Sequence, residues 1–291
     1  MARRTQTGHE ADGTRSDVII LPMRTKFLLL AAILIATPAW ADDDPKKLRD
    51  LCAERPGLDT PACTVDPGHL QIELGLGDWT LDKQPDSRTD TIVAGAISAR
   101  YGVGESTEIR LGWTAFGHSR TRDTTTGAVD RVSGTGDVTI GLKQNLSSPS
   151  GDGFSMAVLP YATLPTGKNG IGTGDWGAGV LLPTSYALTQ IFTLEMTPEW
   201  DLAVDSDGKG RHSAYGSAAG LGVKLNEQWS MSVEGQVIRD RDPAGHSTRA
   251  LAGAYLAWQP KDRMQLDMGA QAGLNHATPD LEIYFGITEK F

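Results

Sequence analysis

Apolar and polar residues alternate along most of the chain after Gly68. In residues 191–204, for example, Phe192, Leu194 and Met196 are separated by polar residues, and residues 281–291 at the end of the chain show the same alternation. Successive side chains of a strand point to opposite faces. A period of two therefore predicts strands that have one apolar face and one polar face.

Twelve segments of the chain alternate fully or in part. Pro160 and Pro183 fall inside two of them and are expected to cause a bulge or a local break, because proline donates no hydrogen bond to the neighbouring strand. The longest predicted loop covers residues 117–136. The twelve predicted strands are residues 69–81, 89–101, 106–116, 137–147, 154–165, 174–188, 191–204, 213–226, 228–239, 248–259, 263–275 and 281–291.

This pattern favours an all-β fold, a closed antiparallel transmembrane β-barrel of about 12 strands. The connections alternate between short turns and mostly longer polar loops, as in outer-membrane barrels, which have short periplasmic turns and longer outer loops. An even strand number returns both chain ends to the periplasm. A soluble β-sandwich or lipocalin-like barrel would also alternate, but its apolar face would point inward.

The aromatic residues favour the membrane alternative. Rings near the strand ends form two predicted girdles, as expected for amphipathic side chains at the two membrane interfaces. One ring, that of Trp79, falls at a position that the alternation assigns to the lumen face of its strand. The last residue, Phe291, is a terminal aromatic of the kind that marks outer-membrane barrels, and we interpret it as an assembly signal for the barrel-assembly machinery. The predicted outer girdle is Trp79, Trp113, Trp176, Trp200 and Tyr215, and the inner girdle is Tyr101, Phe154, Tyr186, Trp229, Trp258 and Phe291.

The amino-terminal part predicts export. Residues 23–41 have a basic start, an apolar run and an Ala-x-Ala site, which is the layout of a secretory signal peptide cleaved after Ala41. Residues 1–22 are polar and precede this signal, so we interpret them as a mis-called N-terminal extension, with translation starting at Met23. Residues 42–67 would form a periplasmic segment, and residues 68–291 the barrel in the cell outer membrane.

Both cysteines, Cys52 and Cys63, lie in the predicted periplasmic segment. An even cysteine count in an exported chain predicts a disulfide. A redox pair would more often have Cys-x-x-Cys spacing, which is absent here. The tied segment would either plug the mouth of the barrel or simply precede it.

Charge and chemistry narrow the function. The net charge of −9 argues against nucleic acid as a partner, since nucleic-acid binding needs basic patches. On the predicted phasing, charged residues of both signs face a narrow, partly filled lumen, where they either pair with one another or set selectivity. The acidic residues Glu195, Glu199 and Asp201 would weakly favour cationic or amine-bearing solutes. The lumen-lining candidates are Glu73, Arg100, Glu108, Arg110, Lys143, Glu195, Glu199, Asp267 and Glu282.

No catalytic, cofactor or metal site is predicted. Gly-x-Ser-x-Gly is absent from the sequence, and the adjacent His212 and Ser213 would point to opposite faces of a strand. Four histidines fall in predicted outer loops without tight ligand spacing. The Asp-rich run that starts at Asp205 resembles a calcium loop but has Gly216 where the twelfth position needs Glu.

The chain carries six short motifs: Leu51-Cys52-x-x-Arg55-Pro56, Pro61-Ala62-Cys63, Asp66-Pro67-Gly68 with Glu73, Gly134-x-Gly136-Asp137, Leu159-Pro160-Tyr161-x-x-Leu164-Pro165-Thr166-Gly167 and Gly174-Asp175-Trp176. In these motifs it resembles a family of outer-membrane transporters named for the meta-pathway of phenol degradation, and the resemblance covers essentially the whole mature chain. The resemblance implies passage of small organic molecules across the outer membrane. We therefore expect a monomeric channel in contact with outer-membrane lipid for passive or facilitated uptake or efflux of small organic solutes, with aromatic compounds as the suggested class. A structural or adhesive barrel is the alternative, and an outer-membrane enzyme ranks below it.

Overall fold

The computed structural model describes residues 48–291, so the predicted extension 1–22, the signal peptide 23–41 and the cleavage after Ala41 lie outside the described residues. The described chain is built from antiparallel strands, and within it no helix is long and apolar enough to cross a membrane. The strands are β1 Leu70–Gln84, β2 Ser87–Gly104, β3 Thr107–Asp123, β4 Val129–Gly134, β5 Val138–Asn145, β6 Phe154–Leu164, β7 Gly177–Leu181, β8 Thr184–Ala187, β9 Phe192–Val204, β10 Arg211–Lys224, β11 Trp229–Asp240, β12 Ser247–Lys261, β13 Met264–Gly273 and β14 Leu281–Lys290.

The sheet closes on itself. Apart from β4–β5 and β7–β8, each strand pairs with the next along the chain, and β14 returns to pair with β1, which closes the barrel. Two wall positions are made from broken strands: β7 and β8 both lie between β6 and β9, and β4 and β5 both pair with β3. Counted this way, the wall is a closed 12-strand antiparallel barrel, which confirms the predicted fold.

The outside of the barrel is apolar and the inside is polar. Large apolar side chains such as Val233 and Phe285 are more than half exposed, whereas Arg100 and Glu108 are fully buried. A soluble barrel has the opposite polarity. An apolar outer band on a closed barrel is the surface that lipid covers. The structure therefore describes an outer-membrane β-barrel.

Exposed aromatic rings lie near both ends of the strands. Trp229 and Trp258 stack with ring centroids 5.8 Å apart at the inner end. At the outer end, the guanidinium of Arg211 lies 4.3 Å from the ring centroid of Trp176. Rings with polar or cationic neighbours suit the membrane interface, where one side of the ring is apolar and the other is wet.

Trp79 pairs with a lipid-facing residue because β1 contains a bulge. Gly75 pairs with Gly286 and Gly77 pairs with Phe285, so Leu76 is an extra residue without a partner. An extra residue reverses the alternation that follows it. Trp79 therefore lies opposite Ile283, whose side chain is 47% exposed. The parity predicted for Trp79 was wrong for this reason.

The long predicted loop 117–136 is mostly strand. β3 continues to Asp123 and pairs there with β4, so only residues 124–128 form the turn. The prolines behave as expected. Pro183 separates β7 from β8, and the β5–β6 pairing is interrupted between the Gly141–Tyr161 and Gln144–Val158 pairs, beside Pro160.

Deleting Phe291 should impair barrel assembly. The amide of Phe291 donates to the carbonyl oxygen of Leu70 at 2.7 Å, and its own carbonyl accepts from the Leu70 amide at 3.2 Å, so this residue completes the seam between the first and last strands. We expect the truncated protein to lose the heat-modifiable band on gels. Phe154→Ala, which removes another exposed inner ring, is the matched control and should retain that band. Normal heat modifiability of the truncated protein would contradict this role.

Candidate functional site in the barrel lumen

Residues 48–67 lie inside the barrel, in the half near the short turns. We call them the plug segment. Cys52 and Cys63 are joined by a disulfide with their Cα atoms 6.0 Å apart, which confirms the predicted bond. The segment contacts side chains from β1, β2, β3, β5, β9, β11, β13 and β14. It therefore reaches from one side of the lumen to the other.

One wall of the lumen, formed by β1, β2, β3 and β5, holds the plug segment with charges. Glu54 of the segment accepts from Lys143 at 2.7 Å and from Arg110, and its carboxylate lies 3.7 Å from Arg100. Arg100 also contacts Glu108 at 2.8 Å. Arg100 and Lys143 are fully buried, so removal of any one carboxylate would leave a buried positive charge poorly compensated.

Backbone groups of the plug segment are bonded to the same wall. The carbonyl oxygen of Cys52 accepts from Gln71 at 2.7 Å and from Arg100 at 2.5 Å. Glu73 accepts from the amides of Glu54 and Arg55 at about 3.0 Å. A short segment without strand partners has many free backbone groups, and these side chains satisfy them.

The plug segment also reaches β13 and β14. Arg55 donates to Asp267 at 3.1 Å and lies 4.9 Å from the ring centroid of Tyr284. The Tyr284 hydroxyl accepts from the Gly57 amide at 3.0 Å. Glycine permits this close passage: a Cβ at Gly286 would collide with the Arg55 guanidinium.

On β9 and β11 the contacts are of another kind. Glu234 accepts from the amides of Leu58 and Asp59 at 2.6 and 3.1 Å, and Thr197 exchanges two hydrogen bonds with the backbone of Thr60. Within residues 48–291, no ion pair joins the plug segment to these two strands. The segment is thus held by ion pairs on one side and mainly by its backbone amides on the other.

The electrostatics of the plug segment differ between its two sides. Burial opposes ionisation of Glu54, but the charges of Arg100, Arg110 and Lys143 outweigh it and hold the pKa of Glu54 well below its ordinary value. At Asp59 nothing compensates burial, and the nearby carboxylates of Glu195 and Glu234 add to it. Together they raise the pKa of Asp59 to about 8.

The structure divides the lumen-lining candidates into two groups. Those that contact the plug segment are Glu73, Arg100, Glu108, Arg110, Lys143 and Asp267. The other three are Glu195, Glu199 and Glu282. Glu199 accepts from Gln236 at 3.3 Å and Glu282 accepts from Gln271 at 2.5 Å.

Some residues of the site could not be chosen by charge alone. Gln71, Thr197 and Tyr284 have the same inward parity as the charged candidates but are neutral, so only alternation marked them. Glu54 and Asp59 lie outside the strands, where alternation gives no signal. Lys290 donates to Asp66 at 3.1 Å and to the carbonyl oxygen of Arg49 at 2.6 Å, so it joins both ends of the plug segment to the last strand.

The outer-loop histidines do not assemble a metal site. Among residues 48–291, no group of three or more metal-ligating side chains has the geometry to hold an ion. His212 instead lies between two carboxylates, with Nδ1 2.9 Å from Asp205 and Nε2 2.9 Å from Asp240. This histidine, near the start of β10, connects the loop after β9 to the last residue of β11.

The family model described as "Putative MetA-pathway of phenol degradation" matches residues 53–291. The chain belongs to this family. The match begins inside the plug segment and runs through every strand, so the family pattern includes both the segment and the barrel. A search of the curated proteins finds no match.

Solved outer-membrane barrels are similar in shape but distant in sequence. The NanC porin is 8% identical, with a TM-score of 0.49 over 76% of this chain and 100% of that chain. The CymD monoaromatic hydrocarbon channel is 8% identical, with a TM-score of 0.44 over 78% and 88% of the two chains. The β domain of the Bordetella autotransporter BrkA is 14% identical, with a TM-score of 0.45 over 78% and 100%. Structures this distant do not indicate which solute this chain transports.

Glu54→Gln should destabilise the protein. The substitution removes the negative charge that compensates buried Arg100 and Lys143, and breaking a buried ion pair typically costs about 3 kcal/mol. Denaturant titration in detergent micelles would measure the free energy of unfolding. Glu105→Gln, which removes a rim carboxylate with an 80% exposed side chain, should change little. An equal effect of both substitutions would argue against the buried cluster.

The difference in stability between wild type and Glu54→Gln should depend on pH. Folding lowers the pKa of Glu54 from 4.5, so its ionised form contributes stability that is fully present above that value. This contribution is lost as the pH falls toward the depressed pKa. Repeating the titrations between pH 7 and pH 3 should therefore show a constant difference that shrinks at the acid end. A difference that grew on acidification would have the wrong sign.

Proposed function

We propose that the protein is an outer-membrane channel for small organic solutes, and that its plug segment controls passage. The observation that carries the proposal is a closed barrel whose polar lumen is crossed by a disulfide-tied segment of its own chain. Membership of the phenol-degradation family supports a solute class of small, partly aromatic organic molecules. The polar inner wall supports passage of solutes that carry at least one polar group.

The plug segment determines how a solute can cross the lumen. Because it contacts side chains on both sides of the lumen, a solute can cross only past it or after part of it has moved. The β9–β11 side is the weaker side, since hydrogen bonds to Glu234 and Thr197 hold the segment there and ion pairs hold it on the opposite wall. Movement away from β9 and β11 would open a path while the Glu54 cluster stays intact.

The disulfide supports control rather than free diffusion. It closes a loop from Cys52 to Cys63 that carries both Glu54 and Asp59, so it keeps the two sides of the segment together. A loop closed in this way has fewer accessible conformations. Opening the loop should therefore loosen the plug segment.

Removing the disulfide should increase conductance. In planar bilayers, we expect wild type to show small or rare openings and the Cys52→Ser/Cys63→Ser variant to show larger or more frequent ones. Liposome swelling with small phenolic solutes should become faster in the same variant. The physical reason is the larger set of segment conformations that becomes accessible once the loop is open.

A reductant provides the matched control for this prediction. It should convert wild type to the behaviour of the double variant and should leave the double variant unchanged. Absence of both conductance and swelling in all samples would favour a structural or adhesive barrel. Lipid hydrolysis or acyl transfer by the same preparations would favour an enzyme.

A further inference from the structure

The inner wall of the barrel carries a pair of carboxylates that flank a glycine. Gly220 of β10 pairs with Glu195 of β9 on one side and with Glu234 of β11 on the other. Neighbouring strands lie about 4.8 Å apart, so the Cα atoms of the two glutamates are roughly 10 Å apart across a strand that contributes no side chain between them. A Cβ at Gly220 would collide with Glu234, so the Glu234 side chain lies across Gly220. We call the space between Glu195 and Glu234 on the inner wall the recess.

The plug segment faces this recess with a third carboxylate. Asp59 is 8% exposed, and its Oδ2 atom is buried without a hydrogen-bond partner. Its charged neighbours are Glu195 and Glu234. Glu234 already accepts from two plug amides and from the Ser232 hydroxyl. The unsatisfied oxygen of Asp59 is therefore an open position for a donor, and it lies among negative charges.

Positive charge is distributed unevenly around the lumen. The cations that contact the plug segment or lie beside it, Arg55, Arg100, Arg110, Lys143 and Lys290, each have a carboxylate within 4 Å. Among residues 48–291, no Lys, Arg or His nitrogen lies within 4 Å of the carboxylates of Asp59, Glu195 or Glu234. A ligand that complements the recess must supply both positive charge and hydrogen-bond donors.

An acidic path and an aromatic wall lie next to the recess. Glu199 and Asp201 follow Glu195 toward the outer end of β9 and share its face, since alternate residues of a strand point the same way. Tyr255 is buried beside the recess, with Asp59 and Glu234 among its charged neighbours, and its ring stacks near Tyr284 at 6.1 Å. Aromatic rings attract one another in offset-stacked or edge-to-face contacts.

We infer that Asp59, Glu195 and Glu234 form a binding site for a small organic ammonium ion that carries an aromatic group. The ammonium group lies between Glu195 and Glu234, where it donates to Asp59 and to the two glutamates, and its ring lies toward Tyr255. The site belongs to the solute path, so the inference rests on the proposed channel function for the way in which the ligand arrives. It adds a preferred solute class to that function.

Three probes of one shape test the charge requirement. Benzylamine, benzyl alcohol and benzoate are cationic, neutral and anionic, and titration calorimetry on the full chain in detergent measures binding of each. We expect benzylamine to bind at least tenfold more tightly than benzyl alcohol, and benzoate not to bind. Binding at neutral pH should release a proton from Asp59, which is detected as a dependence of the heat on the ionisation enthalpy of the buffer.

Glu195→Gln is the informative variant, because Glu195 is not bonded to the plug segment. It should weaken benzylamine binding by roughly tenfold, the change expected when one charge-assisted contact is lost. Glu227→Gln, in the turn after β10 with a 92% exposed side chain, is the matched control and should bind like wild type. Heat modifiability checks that both variants are folded.

Several outcomes would overturn the site. Equal binding of benzylamine and benzyl alcohol would do so, and so would benzylamine binding that Glu195→Gln leaves unchanged. Calcium that binds in place of benzylamine and depends on Glu195 would show a metal site instead. Conductance without preference for benzylamine refutes the site and leaves the channel standing. Binding that depends on Glu195 in a barrel without conductance refutes the channel and leaves the site standing.

Discussion

Backbone N–H and C=O groups in the hydrocarbon core of a membrane find no water, so a sheet can cross only if it closes on itself. Here β1 and β14 make that closure, and the polarity of the wall follows from it, because the lipid side must be apolar and charged residues must turn inward. The interior then has a requirement of its own, since buried charges need partners. Arg100 and Lys143 are fully buried and obtain part of their compensation from Glu54. The place of the plug segment in the lumen is thus tied to the closure of the barrel.

Alternation predicted the wall well because lipid and lumen differ so strongly in polarity. Alternation failed where the two faces of a strand do not differ in polarity. In residues 117–136 the β3–β4 pair carries Ser, Arg and Thr on both faces, so no apolar period remains to mark a strand. It failed again at Leu76, where one extra residue reversed the phase and misplaced Trp79. A bulge adds a residue without changing composition, so nothing local in the sequence announces it.

The candidate site was predictable on the wall and not in the plug segment. Inward parity identified residues such as Glu108 and Lys143 before any contact was known. Their partners in residues 48–67 have no period, and the contacts join distant parts of the chain, as for Arg55 and Asp267, which are 212 positions apart. Export context and an even cysteine count predicted the disulfide, yet its position inside the lumen depends on those long-range contacts.

The plug segment makes stabilising contacts with the β1–β5 wall and an unfavourable one near β9 and β11. Glu54 brings a negative charge to a wall that holds Arg100, Arg110 and Lys143, whereas Asp59 brings a carboxyl group whose ionisation is opposed by burial and by Glu195 and Glu234. A segment that only filled the lumen would be more stable with an apolar side chain at position 59, because burying a polar atom without a hydrogen-bond partner costs free energy. Arrangements that break a local rule without a compensating contact tend to coincide with functional sites. The unfavourable side is also the side without ion pairs, so the place where a cation would gain most is the place where the plug segment is held least.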